Sequence, residues 1–180
     1  MWISKITFND TFEIDELYHF INQRPRTETR ENTYVIPLIS RTPRQILSFD
    51  ISHDKTARTI QGIVDNAPFA ERYCTDGYSM YREVDFLGRH TWNCDKSNTH
   101  NIESVNADLR HYIPGLRRRS RIFYRSLTTL RAILSIFANA YNKFGEAKLK
   151  YRRKLIDTYG IGVKLHNWYK DPPMSIFDYL

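Results

Sequence analysis

The sequence predicts a mixed α/β domain. Three observations carry this. Apolar and alternating segments joined by short links fill residues 6 to 52, the spacing of apolar residues turns helical at His53, and strand-like segments and then two long helical stripes follow. In the first segment, within Ile6 to Ile21, Phe12 and Ile14 alternate with Glu13 and Asp15, a period of two with β-branched and aromatic support. A polar, Arg-rich connection (Asn22 to Asn32) leads to Thr33–Ser40, whose composition fits a buried strand; Pro37 inside it favours an edge or a bulge. Arg-Thr-Pro-Arg makes a turn, and Gln45–Ser52 is a third strand, so the three form an antiparallel meander.

Past His53, Ala57, Ile60, Ile63 and Val64 fall on one helical face, with Asp54 placed as N-cap and Pro68 beyond the end. Tyr73–Thr75 reads as a short strand ending on Asp76 and the turn residue Gly77, and His90–Cys94 as a last strand. Ile102, Val105, Leu109 and Ile113 recur at helical intervals until Pro114-Gly115 interrupts them. Leu127, Leu130, Leu134, Phe137 and Tyr141 stripe a further helix from Ser126 to Phe144, and the tail from Asp171 is expected to be irregular. The order β-β-β-α-β-(β)-α-α, three antiparallel strands, a crossover helix, further strands and flanking helices, is that of a ribonuclease-H-like mixed sheet. Residues 1–145 would form this domain and 146–180 a basic C-terminal extension.

Composition narrows the function classes. An aromatic share of 14% argues against long disordered stretches, and no apolar run reaches the length of a membrane span, so no membrane partner is expected. The N-terminus lacks the apolar core and cleavage site of a secretory signal. Cys74 and Cys94 form no metal-binding or disulfide pattern, which makes a reducing cytoplasm the default compartment. Net charge is +7, yet Arg110 to Lys154 holds 13 Lys and Arg against the single acid Glu146, so the remainder is net acidic. A basic helical half beside a half rich in carboxylates suits a polyanion surface next to a cation site; a solvated basic face is the plainer alternative.

Three acids stand out by position. Asp15 lies on the first strand, Asp76 at the C-terminal end of the strand after the crossover, and Glu103 in the first turn of a helix. If the strands bearing Asp15 and Asp76 are neighbours, the two carboxylates come side by side, and the helix must bring Glu103 to them. Converging carboxylates repel one another unless hard cations bind, and oxygen-only donors suit Mg²⁺ or Mn²⁺. Two such ions, Asp15 bridging both, Asp76 holding one and Glu103 the other, would serve in-line phosphodiester displacement. Taken singly, each acid has another explanation: an exposed strand residue, a turn former, a complement to the helix dipole.

The strings DELYHFI (Asp15 to Ile21), YCTDGYSMY (Tyr73 to Tyr81), THNIESVNADLRHYIPGLRRRS (Thr99 to Ser120) and YRSLTTLRAILSIFANAYN (Tyr124 to Asn142) resemble the catalytic region of prokaryotic insertion-sequence transposases of the Asp-Asp-Glu (DDE) class, nearest the insertion-sequence-one family. The resemblance covers about Phe12 to Phe144, with Ser104 and Arg118-Arg119-Ser120 departing from the family's usual residues. It implies that Asp15, Asp76 and Glu103 are the catalytic, metal-binding set for two Mg²⁺ or Mn²⁺ ions. It also implies that His100, Asn106, Arg110, Arg117, Arg118, Arg119 and Arg121 face DNA, where phosphate contacts position the duplex without reading it. The implied activity is strand cleavage and transfer on element ends and target DNA, in a prokaryotic cytoplasm at the nucleoid, with self-association or pairing with a full-length transposase. Family members usually carry an N-terminal zinc-binding and helix-turn-helix portion, so the chain is expected to be a second reading frame or a truncated copy. The alternative is a catalytically silent fragment that binds DNA or inhibits.

Overall fold

The computed structural model describes residues 10–21, 31–94, 99–117, 124 and 126–159. Its elements are β1 (Thr11–Ile14), β2 (Leu17–Ile21), β3 (Glu31–Arg41), β4 (Arg44–Ser52), α1 (Ala57–Asp65), β5 (Arg72–Cys74), β6 (Arg89–Thr91), α2 (His100–Tyr112) and α3 (Leu127–Tyr159). The expected mixed α/β fold is present as one six-stranded mixed sheet. β3 is antiparallel to β4 along one edge and to both β1 and β2 along the other; β1 runs parallel to β5, and β5 parallel to β6. What the sequence presents as one first strand is two, β1 and β2, interrupted at Asp15 and Glu16.

Helices cover both faces, which is why β3 is apolar along its middle, from Tyr34 to Ile39. On one face Ile60, Ile63 and Val64 of α1 pack on Phe12, Ile14, Ile36, Leu38 and Leu47. On the other, Ile102, Val105 and Leu109 of α2 and Leu130, Leu134 and Phe137 of α3 pack on Leu17, Val35, Ile39, Ile46 and Ile51. Ile46 and Ile51 share that face at an odd spacing because β4 carries one extra residue, Leu47, where Leu38 pairs with Ser48 and Ile39 with Ile46; the bulge shifts the phase of the pleat.

Local chemistry sets the element ends. α1 is capped by Thr56, whose side chain accepts from the Thr59 N–H at 3.3 Å, rather than by Asp54; Asp54 braces the cap, accepting from the Thr59 hydroxyl at 2.7 Å and the Thr56 N–H at 3.2 Å. β4 is an edge strand, and α3 closes it: Asn142, fully buried, accepts from the Ile46 N–H at 2.8 Å and donates to the Ile46 carbonyl at 2.9 Å, as a neighbouring strand would. α3 starts close to its expected position and continues past Phe144 to Tyr159, across the point where the basic extension was expected to begin. No helix among the described residues is long and apolar enough to cross a membrane.

Candidate metal centre

The site forms where strand pairing lapses. β1 and β2 keep one register against β3, with Ile14 opposite Leu38 and Leu17 opposite Val35, so Asp15 and Glu16 face Pro37 and Ile36. Ile46, opposite Ile39, turns its N–H and C=O outward to Asn142. Ile39 therefore directs its backbone groups toward β1, and so by alternation does Pro37, which has no N–H to give. The ladder breaks opposite the proline, between β1 and β2. On its other side β1 lies parallel to β5 with Glu13 level with Cys74, and the same offset continued brings Asp15 level with Asp76. The Tyr78 N–H donates to Asp76 Oδ1 at 2.9 Å and fixes that carboxylate in the turn after β5.

One carboxylate oxygen from each of Asp15, Glu16 and Asp76 lies within 4.8 Å of the others. Successive residues of a regular strand point to opposite faces; the break lets Asp15 and Glu16 converge. Burial, and then the charges of Glu16 and Asp76, push the Asp15 carboxyl up to about 6, and burial likewise raises Glu16. Lys55 is the cation seen at the group, its Nζ 3.6 Å from Glu16 Oε2. Burial and the adjoining Glu16 also hold the Tyr81 hydroxyl well above its ordinary value. Tyr81 lies against Glu16, yet among the described residues neither its hydroxyl nor Glu16 Oε1 makes a well-directed hydrogen bond.

From the other side, α2 brings Asn106, only 5% exposed, whose amide Nδ2 donates to Asp15 Oδ2 at 3.0 Å while Oδ1 has no donor among the described residues. Asn106 Oδ1, a buried acceptor without a donor among the described residues, thus stands beside three carboxylates, of which Glu16 has the Tyr81 hydroxyl against it. A hard cation fits this set of oxygen donors.

Asp15 and Asp76 are thus brought together as expected, but the third acid beside them is Glu16. Glu103 is exposed on α2, outside this three-acid group and one turn before Asn106. Asn106, expected toward DNA, works on Asp15 instead. His100 opens α2 and is exposed; Arg110 is half-buried near the end of α2, where it lowers the His19 pKa behind the effect of burial; Arg117 is exposed and donates to the His111 carbonyl at 2.9 Å. Arg118, Arg119 and Arg121 lie outside the described residues.

Glu13 is the residue that the alternating pattern conceals. It is fully buried, and its Oε1 accepts from Arg41 Nε at 2.5 Å and Asn101 Nδ2 at 2.9 Å, its Oε2 from the Ile102 N–H at 2.9 Å. Thr99, the N-cap of α2, makes no side-chain cap, so Glu13 supplies the carboxylate at this helix N-terminus. The strand that ends at Asp15 thereby also holds the helix that carries Glu103 and Asn106. The adjacent Asp-Glu pair was the one available signal for Glu16; for Glu13 there was none within its own segment. No protein-family model and no curated protein matches the sequence.

Proposed function

We propose that this chain is the catalytic domain of a DDE-type insertion-sequence transposase with a ribonuclease-H-like fold, cleaving and transferring DNA strands with two Mg²⁺ or Mn²⁺ ions. One observation carries the reading: parallel pairing of β1 with β5 sets Asp15 beside Asp76, and α2, the helix bearing Glu103, docks on Asp15 through Asn106. The strand sequence across the sheet, β4, β3, β1 with β2, β5, β6, three antiparallel and then two parallel, supports the fold assignment.

Asp15, Glu16 and Asp76 would hold the ions, with Glu103 closing the set from the helix. Bound there, divalent ions would activate a water or a 3′-hydroxyl and stabilise the departing oxygen. Asn106 steadies Asp15, and Tyr78 steadies Asp76. Lys55 offsets part of the negative charge that a phosphodiester would meet. His100, Arg110, Arg117, Arg118, Arg119 and Arg121 would carry the duplex by its phosphates, at the element ends and at the target. Self-association on paired ends, and work at the prokaryotic nucleoid, follow from the same reading.

Calorimetric titration with Mn²⁺ and a cleavage assay on DNA test it. Wild type should bind the ion and nick DNA in an Mg²⁺-dependent reaction, and Asp76→Asn should lose cleavage while keeping salt-sensitive DNA binding. Full cleavage by Asp76→Asn would refute the assignment. Glu16→Gln and Glu103→Gln, compared for ion affinity and for cleavage, decide which acid completes the set.

A further inference from the structure

Next to the acids, on the side away from α2, lies a tyrosine pair that the cleavage chemistry does not use and that Lys55 links to it. Tyr18 is 51% exposed, two residues past Glu16 on β2. Its ring is held at both ends: edge-to-face on its cross-strand partner Tyr34, with ring centroids 5.7 Å apart, and through its hydroxyl, which donates to Asn32 Oδ1 at 2.9 Å. Lys55 joins this pair to the acids, its Nζ 5.5 Å from the centre of the Tyr34 ring, 3.8 Å from that of Tyr78 and 3.6 Å from Glu16 Oε2. The lysine side chain stays 30% exposed.

We infer that Tyr18, Tyr34 and Lys55 receive an unpaired nucleotide of the DNA strand beside the phosphodiester at the acids, the base stacking on Tyr18 and a phosphate meeting Lys55. This rests on the DNA-cleaving reading above. A paired base keeps its faces inside the duplex stack, so among the bases of a DNA substrate the exposed ring can stack on one drawn out of it. Aromatic stacking beside a cation is how proteins hold single strands without regard to sequence. Because Tyr18 is already fixed by Tyr34 and Asn32, little side-chain freedom is lost when a base arrives. A cross-strand tyrosine pair serving only the hairpin would need neither the exposed ring nor the lysine beside the acids.

The probe is a short DNA duplex, blunt or with a single-stranded overhang carrying a fluorescent adenine analogue, titrated in Ca²⁺. Wild type should bind the overhang form more tightly and quench the analogue. Tyr18→Ala should lose about 5- to 150-fold in affinity for the overhang, the span of one stacked base, and the quenching with it. Tyr18→Phe, which keeps the ring, should retain both, and thermal melts of the two variants verify that they fold. Equal affinity of wild type for blunt and overhang DNA, unchanged quenching in Tyr18→Ala, or a Phe variant as impaired as the Ala variant overturns the inference. Wild-type Mg²⁺-dependent cleavage of the overhang by Tyr18→Ala removes the platform and leaves the metal centre standing. Overhang binding without any cleavage by wild type does the reverse.

Discussion

Replacing Glu13 by Gln tests how firmly β1 is tied to α2. All three neighbours of this carboxylate are donors: the Arg41 guanidinium, the Asn101 amide and the Ile102 N–H. A glutamine carbonyl can take the place of Oε1 and keep two of them. Its amide then stands where Oε2 was and meets the Ile102 N–H, donor against donor. The helix N-terminus loses the Glu13 carboxylate, and Arg41, 25% exposed, loses the charge of Glu13. A hydrogen bond to a buried charge contributes about 1.5–3 kcal/mol, and breaking a buried pair by removing one partner costs about 3–5 kcal/mol, so the expected loss is about 3–5 kcal/mol. Urea unfolding followed by circular dichroism should show the midpoint fall with the slope unchanged. A loss below about 1 kcal/mol would mean that the three bonds contribute no more than ordinary neutral ones and that α2 is positioned by its apolar face alone.

The raised Asp15 carboxyl gives a pH dependence. Its pKa stands at about 6 against an ordinary 3.8, so the protonated form favours the ion-free fold at low pH, and that contribution is lost as pH rises through about 6. Mg²⁺ should therefore raise the melting temperature clearly more at about pH 7.5 than at about pH 5, and equal shifts would remove Asp15 from the cation set. Asn142→Ala leaves the buried N–H and C=O of Ile46 without partners and should cost about 2–5 kcal/mol by urea unfolding; a loss below about 1 kcal/mol would show that water replaces the amide. A Cβ on Gly88 would stand 2.2 Å from the Ala70 carbonyl oxygen, so Gly88→Ala should displace β6 from β5 and lower the melting temperature, and an unchanged melt would refute that close approach.

What the sequence disclosed is what short-range periodicity can carry. Ile60, Ile63 and Val64 of α1, Ile102, Val105 and Leu109 of α2, and Leu130 and Leu134 of α3 are buried as their spacing requires. Asp15 and Asp76 were readable as a pair because the pattern could locate both strands, Asp15 on the first and Asp76 at the end of the one after the crossover. Glu13 was not readable: in an alternating strand a polar position implies solvent, and it takes helices on both faces to make that position interior. Its partners Arg41 and Asn101 lie 28 and 88 residues along the chain, and nothing local announces them. Helix spacing alone could not tell whether α2 presents Glu103 or Asn106 to Asp15. The two lie one turn apart on the helix, and the docking through Glu13 and Ile102 leaves Asn106 buried and Glu103 exposed.

Pro37 fits the sequence expectation of a bulge or an edge only in part, since it sits within the inner strand β3 and interrupts its partner instead of itself. That interruption falls where Asp15, Glu16 and Asp76 gather. A continuous strand from Thr11 to Ile21 would send Asp15 and Glu16 to opposite faces of the sheet, too far apart to share an ion. Pro37→Val restores the missing N–H opposite Asp15 and supplies a strand-favouring side chain, so the ladder should close and the fold should persist with its melting temperature unchanged or raised. Ion affinity should fall at the same time, because the pleat would then pull the two carboxylates apart. Titration with Mn²⁺ reads this directly. Undiminished affinity in a folded Pro37→Val protein would show that Asp76 and Lys55, rather than the gap in the ladder, gather the acids.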